Sequence, residues 1–405
     1  MSLTDYTSLI KAGCRIMRGT TPRLLWKFSR NFLYRSYKNM AAFERRIERG
    51  EPFFPAFLMI SVTEQCNLSC AGCWVSRGGR KSLTVEQLDG IIRQAKGKGS
   101  YFFGILGGEP LLYKGLLEIF EKHPDCYFQL FTNATLITPE IAQRMARIGN
   151  ITPLISIEGL QEESDRRRGQ NDVYRRTMNG LRACREAKLI FGVAASICKS
   201  NFTELVSRRH IENMAKEGAA FLWYYIYRPV GADACPENAL NREEIRRLRE
   251  FIVEQRRNAP LILIDTYWDA EGRGICPGAI GMSHHISPSG AVEFCPPLQM
   301  ACESVNGDGS NLIEICRDSR FLADLRKMAS ETSRGCILLE DPQRLVAFLK
   351  AHDATDSTSR ATVLAELERM RRRDGHDMGP DAIPDKNPLY RMIQKRYFFG
   401  FGAYG

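Results

Sequence analysis

Cys66-Asn67-Leu68-Ser69-Cys70-Ala71-Gly72-Cys73 sets three thiols in the spacing CxxxCxxC. Such a run can close around one metal centre without help from distant sequence. Three thiolates on a four-iron cube leave one iron without a protein ligand, an open position for chemistry. A structural zinc knuckle would want four protein ligands, usually paired CxxC or Cys/His sets, and no histidine lies nearby. The iron–sulfur reading is therefore favoured. The apolar stretch 56–62 before the loop reads as a buried strand, so the cysteines sit where a strand ends.

Downstream, strands and helices alternate. Further strands are expected over 101–106, 127–132, 151–157, 190–197 and 221–227. Between them lie a helix opened by a capping box at Thr84 to Gln87, one through Leu116 to Phe120, and one started by Thr138-Pro139. Helices over 173–187 and 202–216 complete the pattern. Six strand–helix units imply an α/β fold with a parallel sheet and right-handed crossovers. The loops after the strands then gather on one face, which carries the site. Beyond Pro229-Val230-Gly231 the alternation weakens. Asn241 with Glu244 caps a charged helix, 261–266 reads as a short strand, and a segment rich in cysteine, glycine and proline runs from Cys276 to Cys336. Residues 353–360 read as an exposed loop, and 397–405 form an aromatic, glycine-rich tail.

At 405 residues, 44% hydrophobic and 26% charged, the chain can bury two or three cores. Thirteen clustered cysteines suit a reducing compartment with thiols as metal ligands, not a secreted disulfide scaffold. No apolar run reaches the ~18 residues of a spanning helix, and no signal peptide is expected. The location expected is cytoplasmic, with peripheral contact at the inner face of a membrane as an extension of that reading. The extension rests on residues 1–55, where eleven Lys/Arg face four Asp/Glu out of a total net charge of +10. Trp26, Phe28, Phe32, Leu33, Tyr34 and Tyr37 interleave there with Arg23, Lys27, Arg30, Arg35 and Lys38. This suits a helix on an anionic membrane or an arm gripping an acidic substrate. It equally suits a helix packed on the core by its aromatic face. No nucleic-acid partner is expected.

One strand–helix unit after the cysteine loop stands Gly107-Gly108-Glu109-Pro110. Together the two motifs resemble the signature of the radical S-adenosylmethionine (radical SAM) enzymes. The resemblance implies a partial (β/α)6 barrel followed by a small cysteine-rich auxiliary domain. It implies a [4Fe–4S] cluster on Cys66, Cys70 and Cys73, with S-adenosylmethionine chelating the fourth iron. Gly107, Gly108, Glu109 and Pro110 would hold the methionine amino group. Asn133, in Thr132-Asn133-Ala134-Thr135, would reach toward the cofactor. Ser156 and Glu158 share one face of a strand end and match residues contacting the methionine carboxylate side and the ribose. Arg168 matches an arginine that pairs with the carboxylate, and 227–231 would contact the adenine. Many members carry an aromatic residue just before the third cysteine; this chain has Gly72 there and Trp74 just after.

Cys276, followed after thirteen intervening residues by Gly290 and then by Cys295 in the form GxxxxC, resembles the opening of SPASM and Twitch auxiliary-cluster domains. The dense cysteine run of a full SPASM domain is missing, so the resemblance implies one auxiliary cluster, a second [4Fe–4S]. Its other ligands are expected at Cys336 and at Cys302, with Cys316 as the alternative to Cys302. His284-His285 is expected in a hairpin, in contact with solvent or a hydrogen-bond partner. The domains expected are an arm over 1–54, a core over 55–232, a linker helix and auxiliary domain over 233–345, and a helical region over 346–405. The implied activity is reductive cleavage of S-adenosylmethionine to a 5′-deoxyadenosyl radical that takes hydrogen from a substrate. An external one-electron reductant of the ferredoxin or flavodoxin class is implied. The arm favours a lipid-like or hydrophobic substrate. Ribosomal peptide maturation is the first alternative, and a non-catalytic iron–sulfur protein for electron transfer or interaction the second.

Overall fold

The structure, a computed structural model, describes residues 7–391 apart from 52, 77, 266 and 389; the aromatic tail lies outside the described residues. Its sheet contains β1 (Phe57–Ser61), β2 (Phe102–Leu106), β3 (Tyr127–Thr132), β4 (Ile151–Ser156), β5 (Gly192–Ile197), β6 (Phe221–Ile226), β7 (Ile262–Ile264), β8 (Ser283–Ile286) and β9 (Val292–Glu293). The spatial order is β7-β6-β5-β4-β3-β2-β1-β8-β9. Strands β1 to β8 pair in parallel and β9 pairs antiparallel with β8. Near-complete burial of β1, β2 and their neighbours is the pattern of a parallel sheet covered on both faces. The caps form as expected: Thr84 with Gln87 and Asn241 with Glu244 make reciprocal boxes, and Thr138 caps the helix Pro139–Ile148.

Three expectations are corrected. The helix expected over 202–216 is two, Phe202–Leu205 and Arg208–Lys216, because Ser207 caps a new start by accepting from the His210 N–H. The sheet does not stop at β6. It runs on into the cysteine-rich segment, where β8 lies against β1 with Phe57 opposite Ser283. His284 and His285 lie in the antiparallel β8–β9 hairpin, as expected, and being in the interior they meet hydrogen-bond partners and not solvent; His285 bonds Glu293 at 2.5 Å and Ser61 at 2.8 Å, and His284 bonds Arg326 at 3.2 Å. Residues 353–360 are no exposed loop. There β11 (Thr355–Asp356) pairs with β10 (Met300–Ala301), and Ser357 and Thr358 are buried. The Ser357 hydroxyl donates to Glu293 and the Ser359 N–H donates to Glu64 at 2.9 Å. Two carboxylates thus find the donors they need.

The N-terminal arm folds as the helix Thr7–Gly19 and a second helical run from Pro22 to Glu48 that is π-helical over Phe28–Tyr34. It straps the floor of the barrel, passing the loops that lead into all seven first strands in reverse order. Ser8 donates to Arg256 O ahead of β7 at 2.7 Å, and Arg15 to Ala219 O ahead of β6 at 3.4 Å. Thr20 donates to Lys188 O ahead of β5 at 2.8 Å. Arg23 and Lys27 take Ala146 O and Ile148 O, carbonyls of the helix end ahead of β4. Asn31 takes Pro124 O ahead of β3 at 2.9 Å, Arg35 stacks on Tyr101 ahead of β2 at 4.3 Å, and Asn39 takes Ala56 O ahead of β1. Helix C-termini leave carbonyls without partners, and cations there are favourable by ~0.3–1 kcal/mol each. Phe28 packs edge-on against Tyr127, and Phe32 lies tilted against Phe102. Much of the basic, aromatic composition that suggested a membrane surface is spent on the protein's own floor, at the opposite ends of the strands from the cysteine loop. Trp26, Leu33, Tyr34 and Tyr37 remain exposed outside. No helix among the described residues is long and apolar enough to cross a membrane.

Candidate active site and second cysteine cavity

The C-terminal ends of β1 to β6 open into a cavity of about 240 Å3. Cys66, Cys70 and Cys73 line it together with Gly107, Gly108, Asn133, Ser156, Glu158 and Arg168. The cysteine loop has little regular structure of its own and is held from outside. Ala71 N–H donates to Arg167 O at 2.7 Å and Ser69 N–H to Arg168 O at 3.4 Å, both at the end of the helix Gln161–Arg168. Asn67 donates to Thr135 Oγ1 at 2.8 Å and accepts from Asn133 Nδ2 at 3.0 Å. Asn133 therefore lines the cavity, but its side chain is engaged in fixing the loop rather than reaching freely into the space.

Glu109 and Pro110 stand behind the wall rather than in it. Glu109 is completely buried, and its carboxylate accepts from Asn133 N–H at 2.8 Å, Thr132 Oγ1 at 2.8 Å and Leu111 N–H at 3.1 Å. Burial raises its pKa above the ordinary range, against the pull of those three donors. The carboxylate knits the ends of β2 and β3 together. Gly108 is there because any Cβ would press into the backbone, 2.6 Å from Glu64 O. The close approach also lets Gly108 N–H donate to Thr63 O at 2.7 Å.

Arg168 lies between charges. Its guanidinium donates to Cys70 Sγ at 3.5 Å and Glu158 Oε1 at 3.3 Å. Burial alone would lower its pKa; the sulfurs of Cys70 and Cys73 and the Glu158 carboxylate outweigh it and hold the charge firmly. Glu158 Oε2 sits 2.8 Å from Arg167 Nη1 yet accepts no aligned hydrogen bond, which leaves a lone pair for a donor in the cavity. Burial pushes the Cys66 thiol up to about 11 and Cys73 up to about 12. Metal loading must therefore release protons.

Three more residues line the cavity: Tyr227 and Arg228 belong to the 227–231 stretch expected beside the adenine through its backbone, while their side-chain contacts, and Tyr225 altogether, carried no sequence signal. Tyr227, at the end of β6, lies against Gly72: a Cβ there would come within 2.9 Å of the ring. The aromatic surface missing before Cys73 is thus supplied by another strand, and Gly72, at φ +70°, leaves room for it. Tyr225 lines the same cavity, and among the described residues its hydroxyl is buried without a hydrogen-bond partner. Arg228 lines both this cavity and a second one.

The second cavity is lined by Cys276, Cys295 and Cys336, with Gly335, Pro297 and His376 among its walls. Burial raises Cys276 to about 11 and Cys295 well above its usual value, while the Arg228 charge works the other way. Cys302 does not join them. It is exposed, and its thiol donates to His352 O at 3.3 Å, because β10 leads the chain away to pair with β11. Cys316 is packed in the helix Leu312–Asp318, as an apolar run predicts, and does not line the cavity either.

A single tetrahedral zinc needs sulfurs about 3.8 Å apart, from bonds of ~2.3 Å. Among the described residues, the group of ligand atoms lying within 4.8 Å of one another is His123, Asp125 and Cys126, on the barrel floor. Its members are already engaged, the His123 ring with Asp89 at 2.9 Å and Asp125 with Lys96 at 2.8 Å. Neither cysteine trio has all three sulfurs within 4.8 Å of one another, wider than the edge of one zinc tetrahedron. The Glu158 lone pair, the unpartnered Tyr225 hydroxyl and the glycine-lined wall fit a polar nucleoside beside the first trio.

Residues 60–198 match the model of the radical SAM superfamily, whose cofactors are a [4Fe–4S] cluster and S-adenosylmethionine. The chain is 24% identical over 221 residues to an Fe-coproporphyrin III synthase of Methanosarcina barkeri, covering 52% of this chain and 55% of that protein. It is 27% identical over 173 residues to the sporulation killing factor maturation protein SkfB of Bacillus subtilis, covering 42% of each. The chain thus spans about half the length of the curated relatives it first matches. Among solved structures, Streptococcus suis SuiB bound to S-adenosylmethionine superposes with a TM-score of 0.61 at 18% identity, over 83% of this chain and 80% of SuiB. SuiB bound to its precursor peptide SuiA gives the same TM-score, 0.61, at 17% identity, over 84% and 79%. The fold is that of a radical SAM protein with a C-terminal auxiliary domain.

Proposed function

We propose that this chain, whose residues 60–198 form a radical SAM domain, cleaves S-adenosylmethionine reductively and uses the radical to modify a peptide. The observation that carries the reading is the meeting of Cys66, Cys70 and Cys73 with Gly107, Gly108, Glu158 and Arg168 in one cavity at the strand ends. Cys66, Cys70 and Cys73 would hold the [4Fe–4S] cluster and leave one iron for the cofactor's amino and carboxylate groups. When bound, the reduced cluster supplies one electron that breaks a C–S bond of S-adenosylmethionine, giving methionine and a 5′-deoxyadenosyl radical able to take hydrogen from an unactivated carbon.

The chain's own residues supply position. Arg168 places a fixed positive charge beside the cysteine sulfurs and would meet the methionine carboxylate. Ser156 and the free lone pair of Glu158 would receive the ribose hydroxyls. Tyr227 offers the ring face that Gly72 makes room for, and Glu109 keeps the ends of β2 and β3 at the spacing the cofactor needs. Cys276, Cys295 and Cys336 would hold a second [4Fe–4S] cluster, with Arg228 between the two sites. A ferredoxin- or flavodoxin-class protein would deliver the electron.

A peptide is favoured as substrate for two reasons. The fold similarity to SuiB, which has been seen with a precursor peptide, spans 84% of this chain, and SkfB is named as a maturation protein. The lipid-like substrate suggested by the basic arm loses its support, because Arg15, Arg23, Lys27 and Arg35 are bound to carbonyls on the far side of the barrel.

Anaerobic reconstitution with iron and sulfide, then dithionite and S-adenosylmethionine, tests the reading. The expected result is 5′-deoxyadenosine, with about eight irons per chain if both trios carry cubes. A reconstituted protein that binds iron yet forms no 5′-deoxyadenosine would leave only the non-catalytic iron–sulfur alternative.

A further inference from the structure

Next to the first cysteine cavity lies a second open space of about 440 Å3, lined by none of the cysteines of either trio. The two share a wall. Tyr227 and Arg228 line the cofactor side, and the loop continues as Pro229, Val230 and Gly231 along the other. Gly231 touches the cysteine loop directly: a Cβ there would stand 3.0 Å from Trp74 Cα and 3.2 Å from Cys73 O. The far wall comes from the helix Val363–Arg369 and the extended residues after it.

The chemistry of this space is lopsided. Its floor is apolar, with Val230, Pro297, Leu367 and Met370, and its rim carries Arg369, Arg371 and Arg373. Arg371 and Arg373 line it while Arg372 does not, the alternation of an extended segment with every second side chain on one face. Glu366 is the lining carboxylate, and it is already committed to Arg360 at 2.7 and 2.9 Å. Among the described residues Arg369, Arg371 and Arg373 form no ion pair. Arg360 spends its remaining donors on Trp74 O at 3.2 Å, Ser76 Oγ at 3.1 Å and Gln299 Oε1 at 2.6 Å, pinning this wall to the residues that follow Cys73.

Arginines present planar forks matched to carboxylates, and forks over an apolar floor favour an acidic ligand with hydrophobic side chains between its charges. An occupant that also reaches the cofactor must cross the Pro229–Gly231 wall, which a chain of residues at ~3.3 Å each can do. We propose that this cavity binds an acidic, extended peptide segment of the substrate and thereby feeds the neighbouring residues to the cofactor. The inference rests on the peptide reading above and names the charge class of that peptide and the residues that select it.

The test is fluorescence anisotropy on the reconstituted full chain, with a dye-labelled 16-residue peptide of alternating Glu and Leu as probe. Its Lys-for-Glu counterpart is the control, and coproporphyrin, a tetracarboxylate, is the competitor. The acidic peptide should bind, weaken as salt rises, and lose at least about tenfold in affinity in R369E/R371E/R373E; the lysine peptide should not bind. If the triple variant does not fold, R371Q/R373Q, changed at the rim only, should show a smaller loss in the same direction. Equal binding by wild type and variants, or equal binding of the lysine peptide, overturns the proposal. Binding of the porphyrin without binding of the acidic peptide overturns the peptide and reassigns the arginines to propionates. The anisotropy needs no turnover, so it is separable from the function. If the wild type yields no 5′-deoxyadenosine the radical reading fails, whereas loss of charge selectivity alone fails only this inference.

Discussion

Replacing Gly72 by alanine tests how the cysteine loop is built. Gly72 sits at φ +70°, where an L side chain costs about 1 kcal/mol. The new Cβ would also stand 2.9 Å from Cε2 and Cζ of Tyr227, well inside normal carbon contact. The ring cannot retreat freely: Cys235 N–H donates to its hydroxyl at 3.0 Å, and Arg167 stacks on its face at 5.8 Å. Overpacking of this kind costs ~1–3 kcal/mol, and a bent hydrogen bond about 1 kcal/mol more. The expected loss in unfolding free energy is therefore about 3–5 kcal/mol, measured by urea denaturation of the iron-free protein followed by tryptophan fluorescence. Iron uptake should fall with it, since Gly72 directly precedes Cys73. A double-mutant cycle separates the causes. On a Tyr227→Ala background the clash disappears, so Gly72→Ala should then cost only the left-handed share, about 1 kcal/mol. Equal penalties on both backgrounds, or a loss below about 0.5 kcal/mol on the native one, would refute the account of why this position is glycine.

Three further outcomes are expected. Cys276→Ala or Cys336→Ala should lower reconstituted iron by about half while Cys302→Ala and Cys316→Ala leave it unchanged; iron loss in Cys302→Ala would show that β10 rearranges on loading. Acid should destabilise the protein well above the carboxylate range. Burial lowers His210 to about 4 and His284 to about 3, so the unfolded chain, with histidine near 6.5, binds more protons than the native one below neutrality. Each contribution is whole above pH ~6.5 and is lost on acidification, by about 2 kcal/mol each between pH 7 and 5; His210→Leu should flatten its share of the profile. In the arm, Phe43→Ala, at a site 6% exposed, should cost ~3–5 kcal/mol in stability. Vesicle flotation with anionic lipid gives the contrasting readout, since an arm serving only as a membrane anchor would lose binding and keep its stability.

The candidate site was legible to the extent that its residues sit in short motifs at strand ends. Cys66 to Cys73 and Gly107-Gly108 could be paired because a parallel α/β sheet brings consecutive strand ends together whatever its exact closure. What Asn133 and Glu109 do there was not legible. Their side chains bond to Asn67, Thr132 and backbone N–H groups, partners set by how strands stack rather than by spacing along the chain. Tyr227 illustrates the same limit: its ring matters because it fills the space beside Gly72, a contact across 155 residues with no local signature.

Local pattern thus determined the six strand–helix units, the caps at Thr84, Thr138 and Asn241, and the three-thiol loop, since hydrophobic period, capping chemistry and thiol spacing act over a few residues. Only the tertiary structure decided the rest. It turned a basic, aromatic arm into the floor of the barrel, because carbonyls left open at helix ends and ahead of strands needed donors. It joined β8 to β1 and buried His284 and His285, drew Ser357 and Ser359 onto Glu293 and Glu64, and left Cys302 apart from Cys276, Cys295 and Cys336. Each of these depends on which distant donor meets which buried acceptor, and that is settled by packing.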